Sequence, residues 1–319
     1  MNNQKIVVIG ASGFVGSGVF ELLLKNNYEV YGIGRKNRPW RIEEVLSNRY
    51  FSIQDQDLIE TLNKIEPKII INFSATGAYS FQRDFESIVN SNLILLENIA
   101  NWALENDAFL IQAGTSSEYG LNSAGPKEDS IAIPNSLYSI TKLAGTHLLG
   151  HYFSNGLSSI VLRLYSVYGP REDSSRLMPA VMRGIIKGDW PNFTSSNISR
   201  DFIYIDDVAE LILVMLKKFF EEPKRVFEIY NVGSGRKTTM QDLINVLMSD
   251  FGMPEPKSEK FPQRDWDIEN WFSNTDKVKQ EFGWHAQENL SSGLTKMKEW
   301  YLTGKNLNFL GQEYSENKR

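Results

Sequence analysis

Three glycines close to the amino terminus, Gly10, Gly13 and Gly16, constrain the fold of this chain more than any other feature. They directly follow the apolar run Ile6–Ile9, which is typical of a strand buried on both faces. Apolar residues at helical spacing come next, and Val30–Ile33 then resemble a second strand. Such a turn lets the backbone approach a diphosphate closely, and the helix that follows offers its free N–H groups. We therefore expect a dinucleotide-binding domain at the start of the chain.

The composition limits the classes of partner. Of 319 residues, 41% are hydrophobic and 23% are charged, as in ordinary globular proteins. The formal net charge of −5, without a basic stripe, argues against nucleic-acid binding. There is no cysteine and there are only three histidines, so we expect no metal site and assign the histidines structural roles. The first apolar stretch is too short for a signal peptide, and no apolar run predicts a membrane span. We expect a cytoplasmic protein.

Strand-like runs alternate with helical stretches through the first half of the chain, and one long helical pattern covers 88–104. This alternation predicts a parallel sheet with helices on both faces. The strand-like runs are 5–9, 28–33, 69–73, 108–113 and 159–164.

Near residue 166 the pattern changes to shorter elements separated by polar and aromatic loops. We predict a Rossmann-type α/β domain, a doubly wound parallel sheet, over 1–165. A smaller C-terminal α/β substrate lobe is predicted over 166–302, with the chain returning to the first domain around 200–218. The segment 303–319 is a polar tail.

Tyr138 and Lys142 stand four residues apart in YSITK, and Thr115 precedes Tyr138 by 23 residues. On a helix, four-residue spacing places the phenol and the ammonium group on one face. The lysine charge favours the phenolate and so is expected to lower the pKa of Tyr138 towards the neutral range, where a tyrosine becomes an effective acid–base group. The Thr115 hydroxyl is then placed to hold a substrate oxygen.

Six segments together resemble the extended short-chain dehydrogenase/reductase family of sugar-nucleotide epimerases, dehydratases and reductases. They occur in the family's order and are GASGFVG, TSSEYG, YSITK, RLYSVYGPRE, RDFIYIDDVA and YNVGSG. The resemblance implies a bound nicotinamide cofactor, a nucleoside-diphosphate sugar held by the C-terminal lobe, and a homodimer. It also implies that Thr115, Tyr138 and Lys142 are the catalytic residues, with the neighbouring Ser116 as a further substrate contact.

The resemblance further assigns a set of cofactor-binding residues. These are Gly10, Ser12, Gly13, Phe14, Val15, Gly16, Ser74, Ala75, Asn92, Tyr138 and Lys142. The end of the second strand bears on which cofactor is used, because an NAD enzyme is expected to carry an acidic residue there for the ribose 2′-hydroxyl. This chain has Arg35, Lys36 and Arg38 instead, and arginine binds a 2′-phosphate well. NADP(H) is therefore favoured over NAD(H).

The residues after Thr115 narrow the reaction. Family dehydratases carry an acid–base pair directly after the threonine, but here those positions are Ser116 and Ser117, and Glu118 comes one place late. The family's combined epimerase-reductases use a cysteine, which is absent. This leaves carbonyl reduction or epimerisation by transient oxidation.

GTSSEYG and YGIGRKN look most similar to the reductases of 4-keto-6-deoxy sugars, such as GDP-6-deoxy-mannose reductase. We therefore expect an NADPH-dependent reductase of a nucleoside-diphosphate 4-keto-6-deoxy sugar. The alternative is an epimerase that retains its cofactor. A non-catalytic cofactor-binding protein is a third interpretation, which the presence of both Tyr138 and Lys142 disfavours.

Arginines of the second lobe suit the diphosphate of a sugar nucleotide. Arg200 and Arg264 match positions where the family clamps the phosphates, and Arg171 is a weaker candidate. The structural alternative for Arg200 and Arg264 is a salt bridge to the aspartate that follows each. Ser166 stands where many relatives place an asparagine against the nucleotide sugar. Some aromatic residues could stack on a base, although core packing is the commoner role: Trp190, Phe193, Trp266, Trp271 and Phe272.

Overall fold

The fold was determined as a computed structural model. It describes residues 4–37, 39–45, 48–53, 57–79, 81–193, 195–221, 224–256 and 268–303. Three residues singled out above, Arg38, Arg264 and Trp266, lie outside the described residues, as does the tail from 304 onward.

The strands are short and mostly buried. In chain order they are β1 (Ile6–Ile9), β2 (Val30–Gly34), β3 (Tyr50–Ser52), β4 (Ile69–Asn72), β5 (Phe109–Thr115), β6 (Ser159–Leu164), β7 (Ser166–Tyr168), β8 (Ser199–Arg200), β9 (Phe202–Tyr204), β10 (Phe227–Val232) and β11 (Thr238–Thr239).

The helices cover both faces of the main sheet and build most of the second lobe. They are α1 (Phe14–Lys25), α2 (Leu58–Ile65), α3 (Phe85–Val89), α4 (Leu95–Glu105), α5 (Leu137–Ser154), α6 (Leu177–Lys187), α7 (Ile205–Glu221), α8 (Met240–Phe251), α9 (Asp276–Phe282) and α10 (Leu290–Leu302). Two 3₁₀ segments lie at Trp40–Val45 and Ser116–Glu118, and a π-helical turn, Asn90–Ile94, joins α3 to α4.

Seven strands form one parallel sheet in the order β10-β6-β5-β4-β1-β2-β3. The order reverses between β1 and β4, and ligands of open α/β sheets bind at the carboxyl ends of the strands at such a point. The predicted Rossmann-type α/β fold is confirmed. The strands β3 and β10 were not among the predicted runs, and β10 belongs to the main sheet although it lies within the range assigned to the substrate lobe.

The second lobe has its own apolar core, built from α6, α8 and α10. Trp190 and Phe193 are buried in it, with their rings edge to face at 5.9 Å between centroids. The indole N–H of Trp190 donates to the carbonyl of Pro254 at 2.8 Å. Both aromatic residues therefore pack in the core, and neither is available to stack on a base.

Helix α7 joins the second lobe to the first. Its residues Leu211, Ile212 and Met215 pack in the same buried cluster as Val19 and Leu23 of α1. The segment expected to return to the nucleotide-binding domain therefore covers one face of the main sheet.

Candidate active site

The glycine turn after β1 is shaped for close approach of a ligand. Gly10 has a φ of +82°, which side chains disfavour, and a Cβ atom on Gly16 would lie 2.2 Å from the Gly10 carbonyl oxygen. Helix α1 begins after Gly13 with neither a side-chain cap nor an acidic residue in its first turn. Its N–H groups and positive dipole end therefore suit an anion such as a dinucleotide diphosphate.

A cleft of about 700 Å³ runs from this turn to the second lobe. Twelve of the predicted site residues line it. They are Gly10, Gly13, Phe14, Val15, Gly16, Ala75, Thr115, Ser116, Tyr138, Lys142, Ser166 and Arg200.

A smaller cavity of about 160 Å³ lies on the other side of the glycine turn, at the end of β2. Ser12, Arg35, Ser74 and Ala75 line it, and Arg35 is exposed. Its position suits the adenosine end of a dinucleotide. Lys36 is not part of its lining, and its backbone oxygen accepts a hydrogen bond from the Tyr50 hydroxyl at 2.8 Å.

The three candidate catalytic side chains meet in the middle of the large cleft. Thr115 is the last residue of β5, and Tyr138 lies in the first turn of α5. The side chain of Ser136 caps that helix by accepting from the Ser139 N–H. Lys142, one turn further along, is only 4% exposed. The Thr115 hydroxyl hydrogen-bonds to the Tyr138 phenol and lowers its pKa.

The pKa values of Tyr138 and Lys142 differ from what the sequence led us to expect. Burial raises the pKa of Tyr138, and Thr115 and Arg176 only partly oppose this rise. Burial also lowers the pKa of Lys142 to about 8, against the opposing effect of Glu118. The expected lowering of the Tyr138 pKa is therefore not found in the chain without its cofactor, because desolvation outweighs the Thr115 hydrogen bond and the charge of Arg176.

Glu118 faces away from the cleft. Its carboxylate is fully buried and accepts hydrogen bonds from the Thr115 N–H, from Arg163 Nε and from the Thr146 hydroxyl, each at 2.9 Å. With its oxygens held in this way, Glu118 cannot serve as the acid–base partner that a dehydratase carries after its threonine.

Asn92 lies one layer behind the cleft, in the π-helical turn. Its side chain accepts from the Thr76 N–H at 2.9 Å and donates to the Thr76 carbonyl at 2.8 Å. It also donates to the hydroxyl of Thr141 on α5 at 3.0 Å. Asn92 therefore ties the loop after β4 to the helix that carries Tyr138 and Lys142. Its assignment to direct cofactor contact stays a prediction.

Arg200 and Trp271 line the cleft from the second lobe, and the Arg200 guanidinium lies 5.3 Å from the centre of the Trp271 ring. The indole N–H of Trp271 donates to the Ser116 hydroxyl at 3.0 Å, next to Thr115. The carboxylate of Asp201 accepts from the backbone of Ser234, at 2.7 Å, and from Ser273, at 3.1 Å. Asp201 is therefore held by backbone groups of the second lobe, and the salt-bridge alternative for Arg200 stays open.

Phe272 lies between the cleft and the 120–133 loop, where Gly125 packs against its ring. Arg171 makes an ion pair with Glu21 of α1. It is therefore held at the first domain, away from Arg200.

Tyr79, Glu172 and Arg176 also line the cleft, although no sequence pattern pointed to them. The Arg176 guanidinium lies 4.3 Å from the centre of the Tyr79 ring and donates to the Ala78 carbonyl at 3.2 Å. The available signal was a charged run, REDSSR, directly before α6.

Within the described ranges, no set of three or more histidine and acidic side chains is arranged to hold a metal ion. None of the helices in that part of the chain is both long enough and apolar enough to cross a membrane.

A dinucleotide turn, a Thr–Tyr–Lys group and a two-lobed cleft define an oxidoreductase of the extended short-chain dehydrogenase/reductase class. More narrowly, the chain belongs to the NAD-dependent epimerase/dehydratase family, whose family model matches residues 6–233. The resemblance stated from the sequence is confirmed.

Several similar proteins of named activity are epimerases of UDP-sugars. UDP-glucuronate 4-epimerase 1 of Arabidopsis thaliana is 27% identical, with 93% of this chain and 76% of the relative covered. The structure of UDP-glucuronic acid 4-epimerase from Bacillus cereus, in complex with UDP-glucuronic acid and NAD, is 27% identical with a TM-score of 0.81, over 93% of this chain and 98% of that one. UDP-glucose 4-epimerase of Thermotoga maritima, solved with UDP-glucose, shares the fold with a TM-score of 0.82 at 24% identity, over 93% and 98% of the two chains.

Proposed function

We propose that this enzyme is a nucleoside-diphosphate-sugar 4-epimerase that acts by transient oxidation of the sugar and retains a nicotinamide dinucleotide. The observation that carries the proposal is the meeting of Thr115, Tyr138 and Lys142 in a cleft where the nearby Glu118 is sequestered. The relatives that act on UDP-sugars support this alternative better than the 4-keto reductase that we favoured from the sequence.

The residues of the cleft fit a nicotinamide dinucleotide. The uncapped N-terminus of α1 and the turn at Gly10 suit its diphosphate, and the smaller cavity beside Ser74 suits its adenosine. When bound, the cofactor supplies a hydride acceptor and donor and, while oxidised, a positive charge.

The chain's own groups then move the proton. Tyr138 takes the proton of the sugar hydroxyl as the carbonyl forms and returns it when the carbonyl is reduced on its other face. Thr115 hydrogen-bonds to the same oxygen and holds it beside the phenol. Lys142, buried one turn along α5, holds the ribose next to the nicotinamide. Because burial raises the pKa of Tyr138 in the chain alone, a nearby positive charge is needed to form the phenolate.

Arg200 lines the cleft from the second lobe, where it suits the diphosphate of the sugar nucleotide. Trp271 lies next to it, against Ser116, and borders the space left for the hexose. Ser166 lines the wall between them.

A second candidate, the NADPH-dependent reductase of a 4-keto-6-deoxy sugar nucleotide, is favoured by one observation. Arg35 is exposed at the cavity beyond β2, where an acidic residue would suit NAD. A cation there favours a 2′-phosphate, and a dissociable NADPH suits net reduction. We therefore keep the preference for NADP(H) as part of the proposal to be tested.

The test uses the purified chain without added cofactor. Denatured protein is analysed by mass spectrometry for released nucleotide. In parallel, UDP-glucose, UDP-glucuronate and GDP-sugars are incubated with the enzyme and followed by NMR. Interconversion of two 4-epimers without consumption of nicotinamide supports the epimerase. Consumption of NADPH with 4-keto-6-deoxy sugar nucleotides, without interconversion, assigns the reductase instead. If neither occurs with any sugar nucleotide, the proposed function is wrong.

We further propose that the enzyme is a homodimer. The support is a group of exposed apolar side chains on α3, on α5, in the turn before α3 and in the π-helical turn: Phe81, Phe85, Ile94, Leu137 and Ile140. Light scattering of the unmutated protein and of Ile140→Glu tests this, with a monomeric unmutated protein as the outcome that contradicts it.

A further inference from the structure

The loop between β7 and α6 is held in an unusual backbone conformation. Arg171 has a φ of +68°, in the left-handed region that residues other than glycine seldom adopt. Two arginines exchange hydrogen bonds there, because Arg41 Nε donates to the Arg171 carbonyl at 2.9 Å and Arg171 Nη1 donates to the Arg41 carbonyl at 2.6 Å. We call this pair the arginine exchange. Arg171 also forms an ion pair with Glu21 on α1. Strained backbone fixed so firmly by its surroundings is a mark of functional sites.

The arginine exchange seats this loop beside the glycine turn. Arg41 is 8% exposed, and its Nη1 atom lies 3.4 Å from the carbonyl oxygen of Ser12, inside the turn. The residue after Arg171 is Glu172, which lines the same cleft as Gly13 and Phe14. One guanidinium therefore bridges the segment that carries Glu172 to the segment that suits a dinucleotide diphosphate.

One carboxyl oxygen of Glu172 has no hydrogen-bond partner. This atom, Oε2, is closed to solvent. Burial raises the pKa of Glu172 to about 8 and Asp173 adds to the rise, while Arg176 and Arg41 oppose it. From α10, Tyr301 also faces this carboxyl group. A buried carboxyl group left unpaired in this way keeps its proton at neutral pH.

We propose that Glu172 is a cofactor-binding residue whose protonated carboxyl group donates a hydrogen bond to the diphosphate of the nicotinamide dinucleotide. The inference rests on the proposed dinucleotide binding. An ionised Glu172 would repel the diphosphate, whereas a neutral one offers an O–H donor to the cleft that the N-terminus of α1 also borders. The diphosphate of the sugar nucleotide is assigned to Arg200, so the two diphosphates have different proposed partners.

A pH dependence of cofactor affinity follows. The diphosphate favours the protonated carboxyl group, so binding raises the pKa of Glu172 and affinity falls as pH rises above the value in the free protein. With that pKa at about 8, the affinity for NAD⁺ should fall about tenfold between about pH 7 and pH 9. Lys142, with its pKa of about 8, titrates over the same range and adds a loss of its own. The contribution of Glu172 to this loss of affinity is the part of the pH dependence that disappears when Glu172 is replaced.

The experiment is a calorimetric titration of the nucleotide-free protein with NAD⁺ at pH values from about 6.5 to 9.5. NAD⁺ is used because it has no 2′-phosphate to titrate. The unmutated protein is compared with Glu172→Gln and with Glu97→Gln, which removes the same charge from an exposed position on α4. Glutamine keeps a hydrogen-bond donor at all pH values, so at pH 7 the NAD⁺ affinity of Glu172→Gln should lie within about threefold of that of the unmutated protein. Between pH 7 and pH 9 the variant should lose about tenfold less affinity than the unmutated protein. Glu97→Gln should follow the unmutated curve.

Equal pH slopes in Glu172→Gln and the unmutated protein overturn the inference and leave the proposed function standing. Failure of the unmutated protein to bind NAD⁺ or NADP⁺ at any pH overturns the proposed function itself. Titration with UDP is the third arm, and its pH slope should not change in Glu172→Gln. If the variant changes the slope for UDP and not for NAD⁺, Glu172 serves the sugar nucleotide and the inference is wrong.

Thermal unfolding gives a second readout. The pKa of Glu172 in the folded chain, about 8, lies above its ordinary value of 4.5, so the unfolded chain loses this proton first and stability falls progressively as pH rises from about 5 to about 8. Glu172→Gln should therefore raise Tm by an amount that grows over this range. A change in Tm that is the same at all pH values contradicts the unpaired, buried carboxyl group on which the inference depends.

Discussion

Arg163 and Glu118 form an ion pair within the core directly behind the candidate catalytic threonine, with Arg163 Nε 2.9 Å from Glu118 Oε2. The side chains are 4% and 0% exposed. The other carboxylate oxygen accepts from the Thr115 N–H, and the Arg163 guanidinium lies 4.4 Å from the centre of the Tyr119 ring. The pair therefore fixes the end of β5, and with it the position of the Thr115 hydroxyl.

Breaking this pair should destabilise the protein strongly. Arg163→Met leaves Glu118 buried and uncompensated, which typically lowers the free energy of unfolding by about 3–5 kcal/mol. Urea unfolding followed by circular dichroism measures the loss. The matched control is Lys277→Met, which breaks the exposed pair with Glu228 and should lower the free energy of unfolding by no more than about 1 kcal/mol. Equal losses in the two variants would contradict the structural role of the buried pair.

Removal of the phenol hydroxyl should slow the reaction without harming the fold. Tyr138→Phe should lower kcat about 10²–10⁴-fold, the usual contribution of a positioned acid–base group. Thr115→Val should lower kcat less, about 10–100-fold, since one neutral hydrogen bond is lost. The control is Tyr152→Phe on the same helix, whose hydroxyl donates to Asn101 at 2.7 Å, away from the cleft. An undiminished kcat in Tyr138→Phe, measured with whichever sugar nucleotide the enzyme accepts, would end the proposed mechanism.

Lys142 should make the cofactor-free protein less stable, and the effect should depend on pH. Its pKa in the folded chain is about 8, below the ordinary 10.5, so the unfolded chain holds this proton more tightly. The destabilisation caused by the buried ammonium group is therefore complete below about pH 8 and disappears as pH rises towards about 10.5. Lys142→Met should raise the free energy of unfolding by about 3 kcal/mol at pH 7, while it abolishes turnover.

Unfolding of Lys142→Met is best measured at pH 7 and near pH 10 on nucleotide-free protein. The gain in stability should shrink at the higher pH. A loss of stability at pH 7, or a gain that does not change with pH, would show that the lysine is better compensated than its burial indicates.

The cation at the end of β2 should set the choice of cofactor. NADP⁺ should bind more tightly than NAD⁺, and Arg35→Ala should narrow the difference by about 1.5–3 kcal/mol, the range of hydrogen bonds to charged groups. Lys25→Ala, which removes an exposed charge at the end of α1, is the control and should leave the ratio unchanged. Calorimetric titration gives both affinities. Equal affinities in the unmutated protein would show that the charges near Arg35 do not select the 2′-phosphate.

Arg200 should act on one ligand only. Arg200→Ala should weaken UDP binding at least about tenfold, because a charge-assisted contact to the diphosphate is removed. NAD⁺ binding should stay within about twofold, since the proposal assigns this guanidinium to the sugar nucleotide and not to the dinucleotide. If the variant lost NAD⁺ binding instead, that assignment would be wrong.

Much of the site was visible in the sequence because its features are local. The turn at Gly10 and the four-residue spacing of Tyr138 and Lys142 depend on backbone geometry over a few residues. The inward direction of Glu118 also had a local signal that we did not use. Thr115-Ser-Ser-Glu118 is a capping box, in which the glutamate returns to the threonine N–H.

Other features could not be predicted, because they depend on contacts between distant segments. Glu172 faces the cleft through the arginine exchange, which joins positions 41 and 171. Trp271 reaches Ser116 from a segment 155 residues further along the chain. The raised pKa of Tyr138 depends on the depth of the cleft, which no motif encodes.

Strand β10 pairs with β6 at the edge of the main sheet, although β7, β8 and β9 of the second lobe lie between them in the chain. Helix α7, which also follows the start of that lobe, covers apolar residues of α1. A fragment ending near residue 165 would therefore expose an unpaired strand edge and an uncovered helix face, both of which favour aggregation. The two lobes cannot be separated by dividing the chain at a single position, because α7 and β10 both return to the first domain. Transfer of substrate specificity from a relative should therefore replace individual loops around the cleft and leave α7 and β10 in place.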